Sequence, residues 1–172
     1  MTTFKHVLVA TDFSAPSKVA LNYGRDLARS SGATLHVLHV IQEIPTYYGS
    51  EVGLEVANIE KNIELSIQRE FDAALAGHDD GVTVRTAISH AANIAAAIND
   101  YAAANDIDII VVGTHGRGAV SRLLMGSVAE RVVRSAPCPV LTVHAHEAAH
   151  QGDVVPLPES GVESESTVSP GA

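Results

Sequence analysis

Short runs of apolar, mostly β-branched residues recur along the chain, with segments of mixed polarity between them. Five such runs predict β-strands, at residues 6–11, 34–41, 82–88, 107–112 and 140–143. The first, second and fourth runs are almost continuously apolar, which is typical of parallel strands buried on both faces. The pattern therefore predicts a sheet whose central strands are covered from both sides.

Helical periodicity fills the intervals between these strands. In the first interval, Ser14 is placed to cap a helix that buries Val19, Tyr23 and Leu27 and ends at Gly32. The second interval carries a long apolar stripe that consists of Val52, Val56, Ile59, Ile63, Ile67, Phe71 and Leu75. The two later helices are marked by Ile94, Ile98 and Tyr101 and by Leu124, Val128 and Val132. Pro137 is expected to end the last one.

Strands and helices thus alternate along the chain. This order predicts an α/β fold, with a parallel sheet and helices on both faces, in a single domain over residues 1–145. Residues 146–172 are rich in Ser, Glu, Pro, Val and Gly without periodicity, which predicts an acidic, disordered tail. Residues 46–53 hold two Tyr and two Gly and predict a surface loop that could serve as a lid.

Composition and charge narrow the functional classes. Of the 172 residues, 46% are hydrophobic and 18% charged, as in soluble globular proteins. The net charge is −9 and no basic stripe with interleaved aromatic residues is present, so nucleic-acid binding is not expected. No apolar run is long enough to cross a membrane, and the start lacks the pattern of a secretory signal. With Cys138 as its one cysteine, the chain is expected in the cytoplasm.

Candidate binding residues follow the first and fourth strands. Thr11 and Asp12 come at the end of the first strand, and a glycine-rich segment, residues 113–118, follows the fourth. In open parallel sheets, ligands bind beyond the carboxyl ends of the strands, where the strand order reverses. Asp12 can accept hydrogen bonds from two ribose hydroxyls, although its carboxylate could instead cap the first helix.

Gly126 and Ser127, at the start of the last helix, have the features of an anion site. The first amides of a helix lack partners within it, and small residues let a phosphate approach them. Gly113 and Gly116 are expected to remove Cβ atoms that would clash with a ribose and a phosphate. Arg117 adds a positive charge. These residues predict a site for a phosphorylated ligand.

The glycine spacing resembles the signature of a known family. The motif of the universal stress proteins that bind ATP resembles a pattern in this chain: Gly113, two further residues, Gly116, nine further residues and then Gly126-Ser127. Similarity extends over about residues 3–145. It includes VLVATDFS at 7–14, LHVLHVI at 35–41, IDIIVVGTHGRG at 107–118 and GSVAERVVRSAPCPVLTV at 126–143.

The resemblance implies a sheet of five parallel strands in the order 3-2-1-4-5 and a cofactor, ATP, alone or with Mg²⁺. Asp12 and Gly113 would then hold the ribose, and backbone groups of Val40 and Val112 would contact the adenine. The residues implied around the phosphates are His115, Gly116, Arg117, Gly126, Ser127 and Val128. The family also implies a homodimer, for which the edge strand Val140–Val143 is the expected interface.

Three functions stay open at this point. The first is a binding module, a stress-response regulator or sensor that acts through nucleotide occupancy and dimerisation. The second is a slow ATP hydrolase or phosphotransferase using Ser127 or His115, which the absence of a P-loop and of a carboxylate pair in the glycine loop disfavours. The third is a structural protein with an empty pocket, which the retained glycines disfavour.

The histidines raise the alternative of a metal site. His36 and His39 are expected on opposite faces of one strand, so they could not bind one ion together. His144, His146 and His150 could gather a divalent ion, although no supporting second shell is evident. Metal binding by these residues is therefore not expected.

Overall fold

The computed structural model describes residues 3–43, 53–77, 81–114 and 126–144. Strands and helices alternate as predicted: β1 (His6–Ala10), α1 (Ala15–Ser31), β2 (Thr34–Gln42), α2 (Gly53–Leu75), β3 (Val84–Ala91), α3 (Ile94–Ala104), β4 (Ile109–Gly113), α4 (Ser127–Ser135) and β5 (Val140–Val143). Strand β3 begins two residues later than predicted and continues to Ala91. The segment 44–52, Leu124 and the tail 146–172 lie outside the described residues.

The five strands form one parallel sheet in the order β3-β2-β1-β4-β5, which confirms the topology that the resemblance implied. In the centre of the sheet, Val9 of β1 pairs with Val37 of β2 on one side and with Val111 of β4 on the other. Because consecutive parallel strands need a crossover, each connection carries a helix. The strand ends at one edge of the sheet are thereby brought close together.

Helices cover both faces of the sheet because side chains alternate along each strand. On one face, Val7, Val9 and Val37 pack with Ala20 and Leu21 of α1 and with Phe71 of α2. On the other face, Leu8, Leu38 and Ile110 pack with Ile98 of α3 and with Val132 of α4. The central strands are therefore buried on both sides, as their continuous apolar runs predict. Among the described residues, no helix combines the length and apolar character that a membrane span requires.

Helix α1 packs on the sheet mainly through Ala20, Leu21, Gly24 and Ala28, and the predicted stripe only borders this contact. The prediction for Tyr23 is wrong, since its side chain is 56% exposed, while Val19 and Leu27 are only partly buried. A Cβ atom on Gly24 would lie 2.3 Å from Cγ2 of Val9. The helix approaches β1 so closely that only a residue without a side chain fits at this position.

Only the C-terminal part of the predicted stripe on α2 is buried. Ile67 and Phe71 lie in the core, whereas Ile59 is 57% and Ile63 is 42% exposed. The stripe prediction is thus confirmed for its last two turns and wrong for Ile59 and Ile63. Val52 lies outside the described residues, as does the side chain of Val56.

Candidate functional site

A cavity of about 580 Å³ opens where the carboxyl ends of β1, β2 and β4 meet the start of α4. Strand β1 lies between β2 and β4, so the strand order reverses at β1. In open parallel sheets, ligands usually bind at such a reversal, beyond the carboxyl ends of the strands. Eight of the eleven predicted site residues line the cavity: Thr11, Asp12, Val40, Val112, Gly113, Gly126, Ser127 and Val128. The other three, His115, Gly116 and Arg117, lie outside the described residues.

The turn between β1 and α1 is held by a network of hydrogen bonds around Thr11. The Thr11 amide donates to the Leu38 carbonyl at 2.9 Å and so extends the pairing of β1 with β2. The Thr11 hydroxyl accepts from the Phe13 amide at 3.0 Å and donates to Oγ of Ser17 at 3.1 Å. Ser17 in turn donates to the Ser14 carbonyl at 2.9 Å. The turn is thus tied both to β2 and to the first turn of α1.

The carboxylate of Asp12 borders the cavity and is oriented by its own turn. Its Oδ1 atom accepts from the Ser14 amide at 3.0 Å and from the Ser14 hydroxyl. Ser14 occupies the N-cap position of α1, as predicted, but its side chain makes no capping hydrogen bond because its hydroxyl faces Asp12. Asp12 therefore forms an Asx turn ahead of the helix and is not itself the N-cap residue.

Phe13 holds an unusual backbone conformation beside Asp12. Its φ is 61°, in the left-handed region that residues other than Gly, Asn and Asp seldom adopt. Its ring stacks on His39, with ring centroids 4.9 Å apart and an interplanar angle of 28°. It also meets Phe71 of α2 edge to face at 5.2 Å. Packing on both sides thus keeps a strained residue in place next to the cavity.

Gly113 lines the cavity, but the predicted reason for a glycine there is wrong. A Cβ atom on Gly113 would lie 3.0 Å from the carbonyl carbon and oxygen of Pro16 and 3.2 Å from the Ser17 amide nitrogen. The space is therefore filled by the backbone of α1 and not by a ligand. The glycine allows α1 to start against the end of β4, which brings Asp12 beside the fourth strand.

The start of α4 supplies backbone amides to the cavity, although one of them is already used. The Gly126 amide donates to the Thr114 carbonyl, so this N–H is already occupied by a backbone partner. The first hydrogen bond within the helix runs from the Glu130 amide to the Gly126 carbonyl at 3.0 Å. The amides of Ser127 and Val128 precede that bond and have no partner inside the helix. Both residues line the cavity.

An apolar wall completes the cavity. It contains Leu38 and Val40 from β2, Val112 from β4, and Ile94 and Ile98 from α3. Val40 and Val112, which the family resemblance placed near adenine, thus lie on the same wall. The arrangement combines an apolar surface with a carboxylate and a helix start, which suits a ligand that is part apolar and part anionic.

Some lining residues were not predicted from the sequence. They include Ser17, His39, Thr114, Ile94 and Ile98. Ile94 and Ile98 could be found only as the apolar stripe of a helix, because nothing in their spacing indicates a ligand. The one feature of the sequence that could have indicated His39 is its position directly before the predicted site residue Val40. Thr114 is the second residue of the glycine-rich segment, and its hydroxyl lies 2.9 Å from Nδ1 of His144.

The histidines of β2 lie on opposite faces of the sheet, as predicted. Nδ1 of His36 lies 3.0 Å from the Tyr101 hydroxyl of α3, whereas Nδ1 of His39 lies 2.8 Å from the Thr11 carbonyl oxygen. Within the part of the chain that the structure describes, no group of three or more His, Cys, Asp or Glu side chains could hold a metal ion. His146 and His150 of the predicted histidine cluster lie beyond that part.

Comparison with known proteins agrees with the resemblance. The sequence profile of the universal stress protein family matches residues 3–144. Universal stress protein A homolog 1 of Coxiella burnetii is 35% identical over 146 residues, which cover 84% of this chain and 99% of that protein. Universal stress protein UspA from Lactobacillus plantarum superposes with a TM-score of 0.68 at 25% identity, covering 83% of this chain and 99% of that one. A universal stress protein solved in complex with cAMP superposes with a TM-score of 0.58 at 25% identity, covering 83% and 98%.

Proposed function

This chain belongs to the universal stress protein family, and on that premise we propose that its cavity binds an adenine nucleotide, ATP, alone or with Mg²⁺. The observation that carries the proposal is the position of Asp12 and Ser127 on one cavity with an apolar wall. The volume of about 580 Å³ falls within the range of roughly 300–1,000 Å³ that is typical of small-molecule sites. The family member solved with cAMP gives independent support for an adenine nucleotide.

Each part of the nucleotide has a matching part of the cavity. The apolar wall around Val40 and Val112 suits the flat face of adenine. The Asp12 carboxylate can only accept hydrogen bonds and therefore suits the ribose hydroxyls, which donate them. Gly113 lies beside it on the cavity and completes the proposed ribose site.

The phosphates are assigned to the start of α4. The amides of Ser127 and Val128 and the positive end of the helix dipole favour an anion there. Ser127 adds a hydroxyl donor, and we propose that His115, Gly116 and Arg117 complete the phosphate site. Mg²⁺, when bound, would neutralise part of the phosphate charge.

We further propose that the protein is a cytoplasmic stress-response regulator or sensor, and that nucleotide occupancy and dimerisation carry its signal. The proposed interface is β5, which is the last strand in the sheet order and therefore exposes an edge that can pair with a second copy. Leu141 of this strand is 37% exposed, which gives the edge an apolar contact. Sedimentation velocity at micromolar concentration tests this interface. A dimer that becomes a monomer in Leu141→Lys is expected, whereas a monomeric wild-type chain would contradict it.

The nucleotide proposal is tested first on the unmodified protein. Mass spectrometry of the small molecules released from freshly purified protein is expected to find an adenine nucleotide. Calorimetric titration is expected to show binding of ATP, with weaker binding of GTP. A chain that releases no nucleotide and binds no ATP would overturn the proposal.

A pair of variants on α4 locates the site. Gly126 has φ −59° and ψ 144°, a conformation that any residue adopts, so Gly126→Val is expected to fold. It should abolish ATP binding, because it adds methyl groups beside the amides of Ser127 and Val128. Ser135→Val places the same side chain at the other end of α4 and should bind ATP like the wild type. If Gly126→Val bound ATP as tightly as Ser135→Val and the wild type, the phosphates would bind elsewhere.

A further inference from the structure

We infer that His39 is a positioning residue that holds Asp12 in place for the ribose of the nucleotide. This role rests on the proposed function and adds a residue from the centre of the sheet to the site. His39 belongs to β2, where it pairs with Ile88 of β3, so its backbone is fixed by the sheet. Its side chain reaches from this fixed point to the turn that carries Asp12.

The first link is a hydrogen bond to the backbone of the turn. Nδ1 of His39 lies 2.8 Å from the Thr11 carbonyl oxygen. A carbonyl oxygen can only accept, so Nδ1 carries the proton and Nε2 does not, in the neutral ring. The Thr11 amide meanwhile donates to the Leu38 carbonyl. Both backbone groups of Thr11, the residue before Asp12, are therefore held by neighbouring residues of β2.

The second link is the stack of the imidazole on Phe13, the residue after Asp12. The two rings are 4.9 Å apart and nearly parallel, while Phe71 closes the other side of Phe13. Phe13 has φ 61°, a conformation that persists only where the surroundings enforce it. His39 thus contacts the residues on both sides of Asp12 and restrains the backbone from which the carboxylate projects.

Two variants separate the two links. His39→Phe keeps an aromatic ring for the stack and removes the donor to Thr11. His39→Asn removes the ring and keeps a donor, because the amide nitrogen of Asn occupies the same place along the side chain as Nδ1. We propose that the hydrogen bond, which acts directly on the backbone before Asp12, is the stronger restraint on the turn. On this basis His39→Asn should stay close to the wild type and His39→Phe should not.

The first measurement needs no nucleotide. The amides of Phe13 and Ser14 donate to the Thr11 hydroxyl and to Asp12, so their hydrogen exchange reports whether the turn is closed. Exchange of both amides is expected to be about tenfold faster in His39→Phe and within about twofold of wild type in His39→Asn. The Ala33 amide, which donates to the Ala28 carbonyl at the far end of α1, should be unchanged. Unchanged exchange at Phe13 and Ser14 in His39→Phe would overturn the inference.

The second measurement asks whether the restraint reaches the ribose. ATP and 2′,3′-dideoxy-ATP are titrated into each protein, and the ratio of their affinities reports the contribution of the ribose hydroxyls. The wild-type preference for ATP is expected to shrink about fivefold in His39→Phe and to persist in His39→Asn. A residue that merely supported the fold would weaken both nucleotides alike, so an unchanged ratio in His39→Phe would overturn the role in positioning. A wild-type protein that binds neither nucleotide would instead overturn the proposed function, and this result would be seen before any substitution is made.

Discussion

Asp12 and Asp108 place the same chemical group at opposite ends of the central strands. Asp12 follows the carboxyl end of β1, and Asp108 precedes the amino end of β4. In each, one carboxylate oxygen accepts two hydrogen bonds. Oδ2 of Asp108 accepts from the amides of Lys5 at 2.6 Å and His6 at 2.8 Å, and Oδ1 of Asp12 accepts from the amide and hydroxyl of Ser14.

The partners show that the two carboxylates serve different purposes. The hydrogen bonds of Asp108 join it to residues 102 and 103 positions away, so they fasten the start of β1 to the start of β4. The hydrogen bonds that Asp12 accepts from Ser14 come from two residues along the chain and order its own turn. Asp12 also borders the cavity. One end of the sheet thus uses its carboxylate to hold strands together, and we propose that the other end uses it to hold a ligand.

The largest expected effect that separates them is the response of ATP binding to Asp12→Asn. The variant keeps Oδ1 as an acceptor for Ser14 and loses the negative charge opposite the ribose. ATP affinity should fall about 30-fold, which corresponds to about 2 kcal/mol for charge-assisted hydrogen bonds. The midpoint of thermal unfolding should barely move. Calorimetric titration and thermal unfolding of the same sample measure both quantities.

Asp26→Asn is the matched control for this prediction. The Asp26 side chain is 69% exposed on α1 and pairs only with the exposed Arg29 among the ion pairs that the structure describes. Such surface pairs contribute little, so neither ATP affinity nor stability should change. An Asp12→Asn variant that bound ATP as tightly as Asp26→Asn would remove Asp12 from the proposed site.

Asp108→Asn should show the reverse behaviour with a smaller effect. Loss of the charge weakens two hydrogen bonds between strands, so the free energy of unfolding should fall by about 1 kcal/mol at neutral pH. ATP affinity should be that of the wild type, because Asp108 lies at the other end of the sheet from the cavity. Urea unfolding measures the first quantity and titration the second. A large loss of ATP affinity here would break the distinction between the two ends.

The stability at low pH gives a further test of the structural role of Asp108. The backbone amides of His6 and Lys5, in that order, hold the pKa of Asp108 below its ordinary value of 3.8, although burial acts in the opposite direction. A lowered pKa in the folded protein means that ionised Asp108 stabilises the fold above pH 3.8, and that this contribution is lost as the pH falls through the folded pKa. The stability difference between wild type and Asp108→Asn should therefore shrink below about pH 4. A constant difference down to pH 2 would contradict this cause.

The sequence was a good guide to the candidate site where the signal was a spacing of glycines and a strand end. Asp12, Gly126 and Ser127 were predicted on that basis, and all three line the cavity. The sequence was a poor guide to why a particular residue type is needed at a position. Gly113 was expected to make room for a ligand, whereas its missing Cβ makes room for the backbone of Pro16. That neighbour lies almost a hundred residues earlier in the chain, and no local pattern reports it.

The fold shows the same division. Continuous apolar runs located β1, β2 and β4 because strands buried on both faces tolerate few polar residues. The bounds of β3 were less accurate, because this edge strand is partly exposed and begins with the exposed residues Val84 and Arg85. On α1, the large residue Tyr23 suggested the wrong face, since Gly24 and its small neighbours let the helix approach the sheet.

By itself, the sequence determined the alternation of strands and helices, the family and the edge of the sheet at which a ligand is expected. These features depend on the periodicity of side chains and on local spacing, both of which can be read directly from the sequence. Only the tertiary structure decided which side of α1 is buried, that the Gly126 amide before α4 is already bonded, and that His39 reaches the carbonyl oxygen of Thr11. Each of these depends on a backbone group or on close packing between distant segments. Because all residues except proline carry the same backbone donor and acceptor, the sequence does not show which of these groups will be bonded.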